Sequence, residues 1–311
     1  MSQKGIDGLL RPTRDLVEQG GKRWRPVFMV LCAKLAANAP EKISRALKLS
    51  PLLEFVHTAS LIHDDIEDKA QERRSMPCAH LKYGLDTALN AGSWLYFNAA
   101  TCIKNSGLSD KERLFCHELY EMELRRLHLG QAMDIAWHRE ADFFPSVDEY
   151  KQMVLLKTGT LSCLSAKLGF LAAGMDSSLI DKAGKIAAGI GMGFQILDDV
   201  QNITSGNPGK KRGDDIVEGK KSLPVLLHAQ SRPEDKAKIA SLFERAGREG
   251  IQSPAVEEAI ALLESSGSIK RAYDFGNETA RQKALELTGV LEDNGSGAAQ
   301  MILRLFEKIQ R

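Results

Sequence analysis

From Ser109 to Phe144 the chain runs without a proline, and a Ser-x-x-Glu box opens the run. In Ser109–Asp110–Lys111–Glu112 the serine hydroxyl and the glutamate carboxylate satisfy free amides of a first helical turn, which marks a helix start. At 1.5 Å per residue even the first 28 or so residues make a rod of about 40 Å. A rod of that length buries a face only against other long helices, so a bundle follows. Ser146–Val147–Asp148–Glu149 repeats the box, and Ser50–Pro51 and Ser253–Pro254 each place a capping residue before a proline at a first helical position. No window alternates β-branched with polar residues, which argues against a substantial sheet. The expected fold is all-α, with roughly ten or more helices.

A chain of 311 residues allows one domain or two. Its 43% hydrophobic and 27% charged residues are ordinary for a globular protein, and a formal charge of +1 gives a nucleic-acid partner no support. The five cysteines are odd in number and form no CxxC, so they read as reduced packing thiols. No apolar run approaches the length of a membrane span, and the N-terminus lacks the pattern of a signal peptide. A cytoplasmic protein without an integral membrane segment is expected. The stretch GNPGKKRGDDIVEGKK, Gly206 to Lys221, is too polar for core and reads as a mobile loop inside one domain, residues 1–311.

The stretch LIHDDIEDKAQERR, Leu61 to Arg74, ends an apolar run with Asp64, Asp65, Glu67 and Asp68. Like charges a helical turn apart cost roughly 0.2–0.5 kcal/mol per pair, so a partner should offset them. On a helix, His57, Asp64 and Asp68 fall at i, i+7 and i+11, within about 20° of one face. A second acidic pair stands in GFQILDDVQN, where Gln195, Asp198 and Asn202 also share a face. Either cluster alone also reads as a solvated helix face. Two of them, each ending an apolar helix, suggest hard oxygen ligands for magnesium, whose shell substrate phosphates and water commonly complete. Basic residues to line such a pocket are available in Lys22, Arg25, Arg73, Arg74, Lys157 and Lys220, although each alone also reads as a surface charge.

The ordered set GKRWR, HTASLIHDDIED, RR, KTG, FQILDD and GKKSLP, from about Gly20 to Pro224, resembles the trans-isoprenyl diphosphate synthases. Together with HLGQAMDIAW, His128 to Trp137, it is most similar to the short-type geranylgeranyl diphosphate synthases. The resemblance implies a single large helical bundle surrounding a central cavity. It implies condensation of isopentenyl diphosphate with an allylic diphosphate, magnesium as cofactor in three ions with manganese as a substitute, and a homodimer or a multiple of it. Asp64, Asp68 and Asp198 would hold metal with Asp65 and Asp199 supporting. Arg73, Lys157 and Lys220 would clamp the allylic diphosphate, and Thr158 and Gln195 would lie near the carbocation. Lys22, Arg25, His57 and Arg74 would bind isopentenyl diphosphate.

Chain length then becomes a packing problem. Ala59 and Ser60, a turn before Asp64, are small and leave the cavity open, so Tyr96, Phe97 and His128 are expected to form its floor and to give a twenty-carbon product. Three departures from the family pattern stand out: Asn202 in place of the last carboxylate of the second motif, Ser75 where glycine commonly follows the arginines, and GSWL, Gly92 to Leu95, in place of GDxL. A longer- or shorter-chain synthase, a class I terpene cyclase and a non-catalytic helical subunit are the alternatives. The cyclase would need a Ser and a Glu at places where DDVQNITSG has neither, and a subunit that had lost catalysis would be expected to lack some of the first-motif charges retained here.

Overall fold

The computed structural model of the chain describes residues 3–206, 211–292 and 294–309. The first half comprises α1 (Gln3–Glu18), α2 (Trp24–Ala36), α3 (Pro40–Glu67), α4 (Ala79–Tyr83), α5 (Leu85–Ala99), α6 (Thr101–Lys104) and α7 (Asp110–Arg139). Then come α8 (Val147–Val154), a π-helical turn at Leu155–Gly159, α9 (Thr160–Ala172), α10 (Ser177–Thr204) and the short α11 (Asp214–Val217). The chain continues through α12 (Leu223–Ser231), α13 (Lys236–Glu249), α14 (Pro254–Ser265), α15 (Ser268–Thr288) and α16 (Ala298–Ile309). Among the described residues the strands are two, β1 (Glu72–Arg73) and β2 (Met76–Pro77), paired antiparallel. The all-α expectation holds.

Both capping boxes form as read: Ser109 and Ser146 accept from the amides of Glu112 and Glu149, whose carboxylates return the bond. Ser253 caps α14, with Pro254 opening it. Ser50–Pro51 does not start a helix, because α3 runs straight through it from Pro40. Pro51 removes the amide that would bond to the Leu47 carbonyl, and the Ser50 hydroxyl donates to that carbonyl instead, at 2.9 Å.

The bundle is built around α9, whose residues are buried on every side, as expected of a helix apolar all round. It packs against α2, α7 and α10, while α3 packs against α2 and α5. One apolar core joins α2, α3, α5, α7, α9, α10 and α16; a second gathers α8, the C-terminal half of α10, and α12 to α15. By length and hydropathy Val147–Ala172 could cross a membrane, against the expectation that no run comes close, but 83% of its apolar window is buried inside the protein, as in a core helix. All five cysteines are free thiols.

The polar stretch from Gly206 to Lys221 is not a simple loop. Residues 207–210 lie outside the described residues, but beyond them α11 forms and Asp215, Ile216 and Lys221 are buried. Asn202 ties this segment down: its Oδ1 accepts from the Asp215 amide at 3.2 Å and its carbonyl from the Gly213 amide at 2.9 Å. The polar residue of the second acidic motif that departs from the family pattern therefore serves packing of its neighbour segment.

Candidate active site

A cavity of about 570 Å³ opens where the C-terminal ends of α3 and α10 converge. Its wall includes Asp64 from α3 and Asp198 and Asp199 from α10, so residues 134 positions apart, the spacing from Asp64 to Asp198, share one space. Asp68 closes α3 at the rim, where its Oδ2 accepts from Lys220 at 3.0 Å. Of the expected basic residues Lys22, Arg25, Arg73, Arg74, Lys157 and Lys220 all line the cavity, and so do His57, Ser60, Thr158 and Gln195.

The carboxylates at the end of α3 are held by cations. Lys157 Nζ lies 3.4 Å from Asp64 and 2.5 Å from Asp134, and burial, which pulls its pKa down, is outweighed by those two carboxylates. Asp134 is a residue the sequence reading missed. Burial pushes its carboxyl up, but Lys157, His138 and Lys220 hold it well below the usual carboxylate range. Lys220 gathers Asp68, Asp215 and Glu218, which raise its ammonium well above the ordinary lysine value against burial. Gln131, also missed, donates to Asp64 at 3.3 Å and to Glu67 at 2.5 Å. Both missed groups sit in the HLGQAMD stretch, at i and i+3 on one face of α7. The signal was present; what it lacked was the partners, Lys157 for Asp134 and the first acidic motif for Gln131.

Asp65 does not face the cavity. It is 1% exposed, and its Oδ1 accepts from Arg73 Nε at 2.9 Å and from the guanidinium's terminal nitrogen, so it fixes Arg73. The hairpin β1–β2 presents both arginines. Its central residues, Arg74 and Ser75, have φ of 54° and 63°, the left-handed pair that a two-residue hairpin turn needs. A serine there costs about 1 kcal/mol relative to glycine, which explains why glycine suits the position. Arg74 then donates to the Leu16 carbonyl at 3.1 Å and to that of Gly20, docking the turn on the end of α1.

Arg25 is half-buried, lies over the Trp24 ring at 4.6 Å, and has its pKa pulled down to about 10 by burial. Its guanidinium can only donate, so His57 Nε2, 3.4 Å away, is the acceptor and the imidazole proton sits on Nδ1. Burial and then Arg25, Arg74 and Arg73 push His57 well below its ordinary pKa, which keeps it neutral. On the opposite wall Thr158 donates to Gln195 Oε1 at 2.8 Å, Gln195 donates to Asp199 at 2.8 Å, and the Tyr150 hydroxyl donates to Asp199 at 2.6 Å. Burial first and the nearby Asp215 second push the Asp199 carboxyl up to about 7. The π-helical turn carries Lys157 and Thr158, and such turns recur at functional sites.

At its apolar end the cavity reaches Tyr96 and His128, whose rings meet edge to face at 5.2 Å. Two expected floor and wall residues are elsewhere. Phe97 is 80% exposed on the outer face of α5, and Ala59 is packed in the core. Consecutive helical residues point about 100° apart, and it is Tyr96 and Ser60, not Phe97 and Ala59, that the helices turn to the cavity.

Among the described residues no three His, Cys, Asp or Glu side chains close on one point to cage a metal unaided. The carboxylates here are oxygen donors only, spread over two helix ends. That donor set fits a hard divalent cation whose shell is completed by a ligand's phosphates and water, rather than a tight protein-only site.

A charged mouth and an apolar end in one cavity define the class of molecule it suits, an enzyme acting on phosphate esters with greasy tails. Residues 7–263 match the family described as polyprenyl synthetase. A geranylgeranyl pyrophosphate synthase of Neocamarosporium betae is 30% identical over 94% of this chain and 80% of its own length. A geranylfarnesyl diphosphate synthase of Aeropyrum pernix is 35% identical over 88% of this chain and 84% of its own. The solved geranylgeranyl pyrophosphate synthetase of Pyrococcus horikoshii Ot3 superposes with a TM-score of 0.86 at 28% identity, over 100% of this chain and 92% of that one. The chain belongs to the polyprenyl synthetase family of isoprenyl diphosphate synthases, which are prenyltransferases.

Proposed function

We propose that this prenyltransferase condenses isopentenyl diphosphate with an allylic diphosphate and releases a product of about geranylgeranyl length. The observation that carries the reading is the shared cavity: two acidic helix ends at the mouth, the first of them balanced by Lys157 and Lys220, and the rings of Tyr96 and His128 at the far end. In the reaction the allylic carbon–oxygen bond breaks and diphosphate leaves. The double bond of isopentenyl diphosphate supplies the electron pair of the new carbon–carbon bond, and a proton is lost.

Asp64, Asp68 and Asp198 would hold magnesium, in three ions per site, with Asp65 and Asp199 behind them. When bound, the metal supplies fixed positive charge opposite the departing diphosphate. Lys157, Lys220 and Arg73 exchange part of their carboxylate contacts for diphosphate oxygens, so the cations are in position before substrate arrives. Lys22, Arg25, His57 and Arg74 take the second diphosphate, with neutral His57 offering its Nδ1–H as a donor. Thr158 and Gln195 turn uncharged oxygen dipoles toward the allylic carbon, which stabilises positive charge without a covalent adduct.

Residues 1–311 act as one domain, since α10 belongs to both cores. A second copy covers the outer face of α5, where Leu85, Leu89 and Phe97 recur at multiples of four residues. The reduced cysteines suit a cytoplasmic location. The direct test supplies purified protein with magnesium, isopentenyl diphosphate and each allylic primer in turn, then sizes the dephosphorylated products. A twenty-carbon alcohol is the expected principal product; no elongation with any primer would refute the reading.

A further inference from the structure

His63 directly precedes Asp64 and lines the same cavity, yet no role in metal or diphosphate binding falls to it. Its imidazole stacks on the Tyr96 ring, with centroids 5.5 Å apart and planes 11° from parallel. Tyr96 in turn meets His128 edge to face, so the three rings form one continuous layer across the apolar end.

The layer is braced from behind. Ser93 Oγ lies 3.3 Å from His63 Nε2. At Gly92 the backbone of α5 comes so close that an added Cβ would stand 3.3 Å from the imidazole and 3.1 Å from Ile62. The Tyr120 hydroxyl donates to the Tyr96 carbonyl and so holds that turn of α5 in place. The imidazole is thus seated against one face of α5, on the Tyr96 ring and close to the backbone at Gly92. Phe97, which the sequence had suggested, lies on the outside and cannot serve.

We propose that His63 is a specificity-determining residue: with Tyr96 and His128 it completes the barrier that stops growth of a linear polyprenyl diphosphate, and Gly92 and Ser93 hold it there. The inference rests on the cavity's being the place where the tail grows. A tail that reaches the layer meets flat, braced faces rather than flexible side chains that could part. Removing the imidazole opens a gap beside Tyr96 that a further isoprene unit can enter.

The test compares product length for the unmodified protein, His63→Ala, His63→Phe and Phe97→Ala, with isopentenyl diphosphate and one allylic primer and products sized after dephosphorylation. Far-ultraviolet circular dichroism checks that each is folded, and His63→Asn replaces the alanine variant if that one is not. His63→Ala is expected to lengthen the principal product by at least one five-carbon unit, while His63→Phe and Phe97→Ala keep the parental length. An unchanged product from a folded His63→Ala or His63→Asn would overturn the role of His63. Absence of any elongation by the unmodified protein would instead overturn the underlying reading of the site.

Discussion

Lys221 shows how a single buried charge is tolerated beside a charged site. It is 3% exposed, its ammonium lies 5.4 Å from the ring centroids of both Phe144 and Phe243, and Nζ donates to the Gly219 carbonyl at 3.3 Å. Burial pulls its pKa down to about 8, with Asp142 opposing. In the unfolded chain the value is near 10.4. Below about pH 8 both states are protonated and the fold carries the cost of burying the charge. Between about pH 8 and 10.4 the unfolded chain binds the extra proton, so this residue makes stability rise with pH. Lys221→Met cannot titrate there. The unmodified protein should therefore gain on the order of 1 kcal/mol relative to Lys221→Met between about pH 7 and 10, read from urea midpoints. A constant difference would show that the ammonium is well solvated. At this scale the charged residues were legible because their chemistry is local. Which neighbour faced inward was not: choosing between Tyr96 and Phe97, or Ala59 and Ser60, needs the helix's rotation, and a run of apolar residues on a fully packed helix does not reveal it.

Among the elements, the π-helical turn at Leu155–Gly159 and the facing stretch of α7 form the most tightly specified contact of the site. A Cβ on Gly130 would stand 2.3 Å from the Lys157 backbone nitrogen and 2.8 Å from the carbonyl carbon of Leu156. One turn further on, Asp134 takes the Lys157 ammonium. Close approach at Gly130 and the ion pair at Asp134 thus fix the same lysine by backbone and by side chain. Gly130→Ala should destabilise the protein by about 1–3 kcal/mol and lower turnover at the same time, measured by urea unfolding and steady-state kinetics. Wild-type stability in that variant would mean that α7 can shift freely. Helix starts carried by Ser-x-x-Glu boxes were readable because both partners lie within four residues. The Ser50–Pro51 pair was misread because the same two residues also suit a helix interior, once the serine covers the carbonyl the proline leaves open. The burial of α11 was not legible because Ile216 and Val217 are two apolar residues in a strongly polar run, and what receives them is the second apolar core, with Asn202 of α10 holding the Asp215 amide beside them.

Taken as a whole, the molecule brings charges from distant parts of the chain to one mouth: Lys220 reaches Asp68 across 152 positions and Lys157 reaches Asp64 across 93. The meeting of the two acidic helices was legible in the ordered motifs, whereas the partners Asp134, Gln131 and Asp215 came from packing. The outer face of α5 makes a further prediction at this scale. If two copies pair through this face as proposed, Phe97→Asp should leave monomers in sedimentation equilibrium while far-ultraviolet circular dichroism stays unchanged; a mass equal to that of the unmodified protein would contradict the pairing. The assigned site turns most directly on Asp64, where the first acidic helix meets Lys157, Arg73 and Gln131. Its measurement is the rate of diphosphate release from an allylic substrate and isopentenyl diphosphate in the presence of magnesium, for the unmodified protein and for Asp64→Asn. A loss of turnover of about 100-fold or more with unchanged helicity is the predicted result, and an unaltered rate would contradict the role assigned to this site.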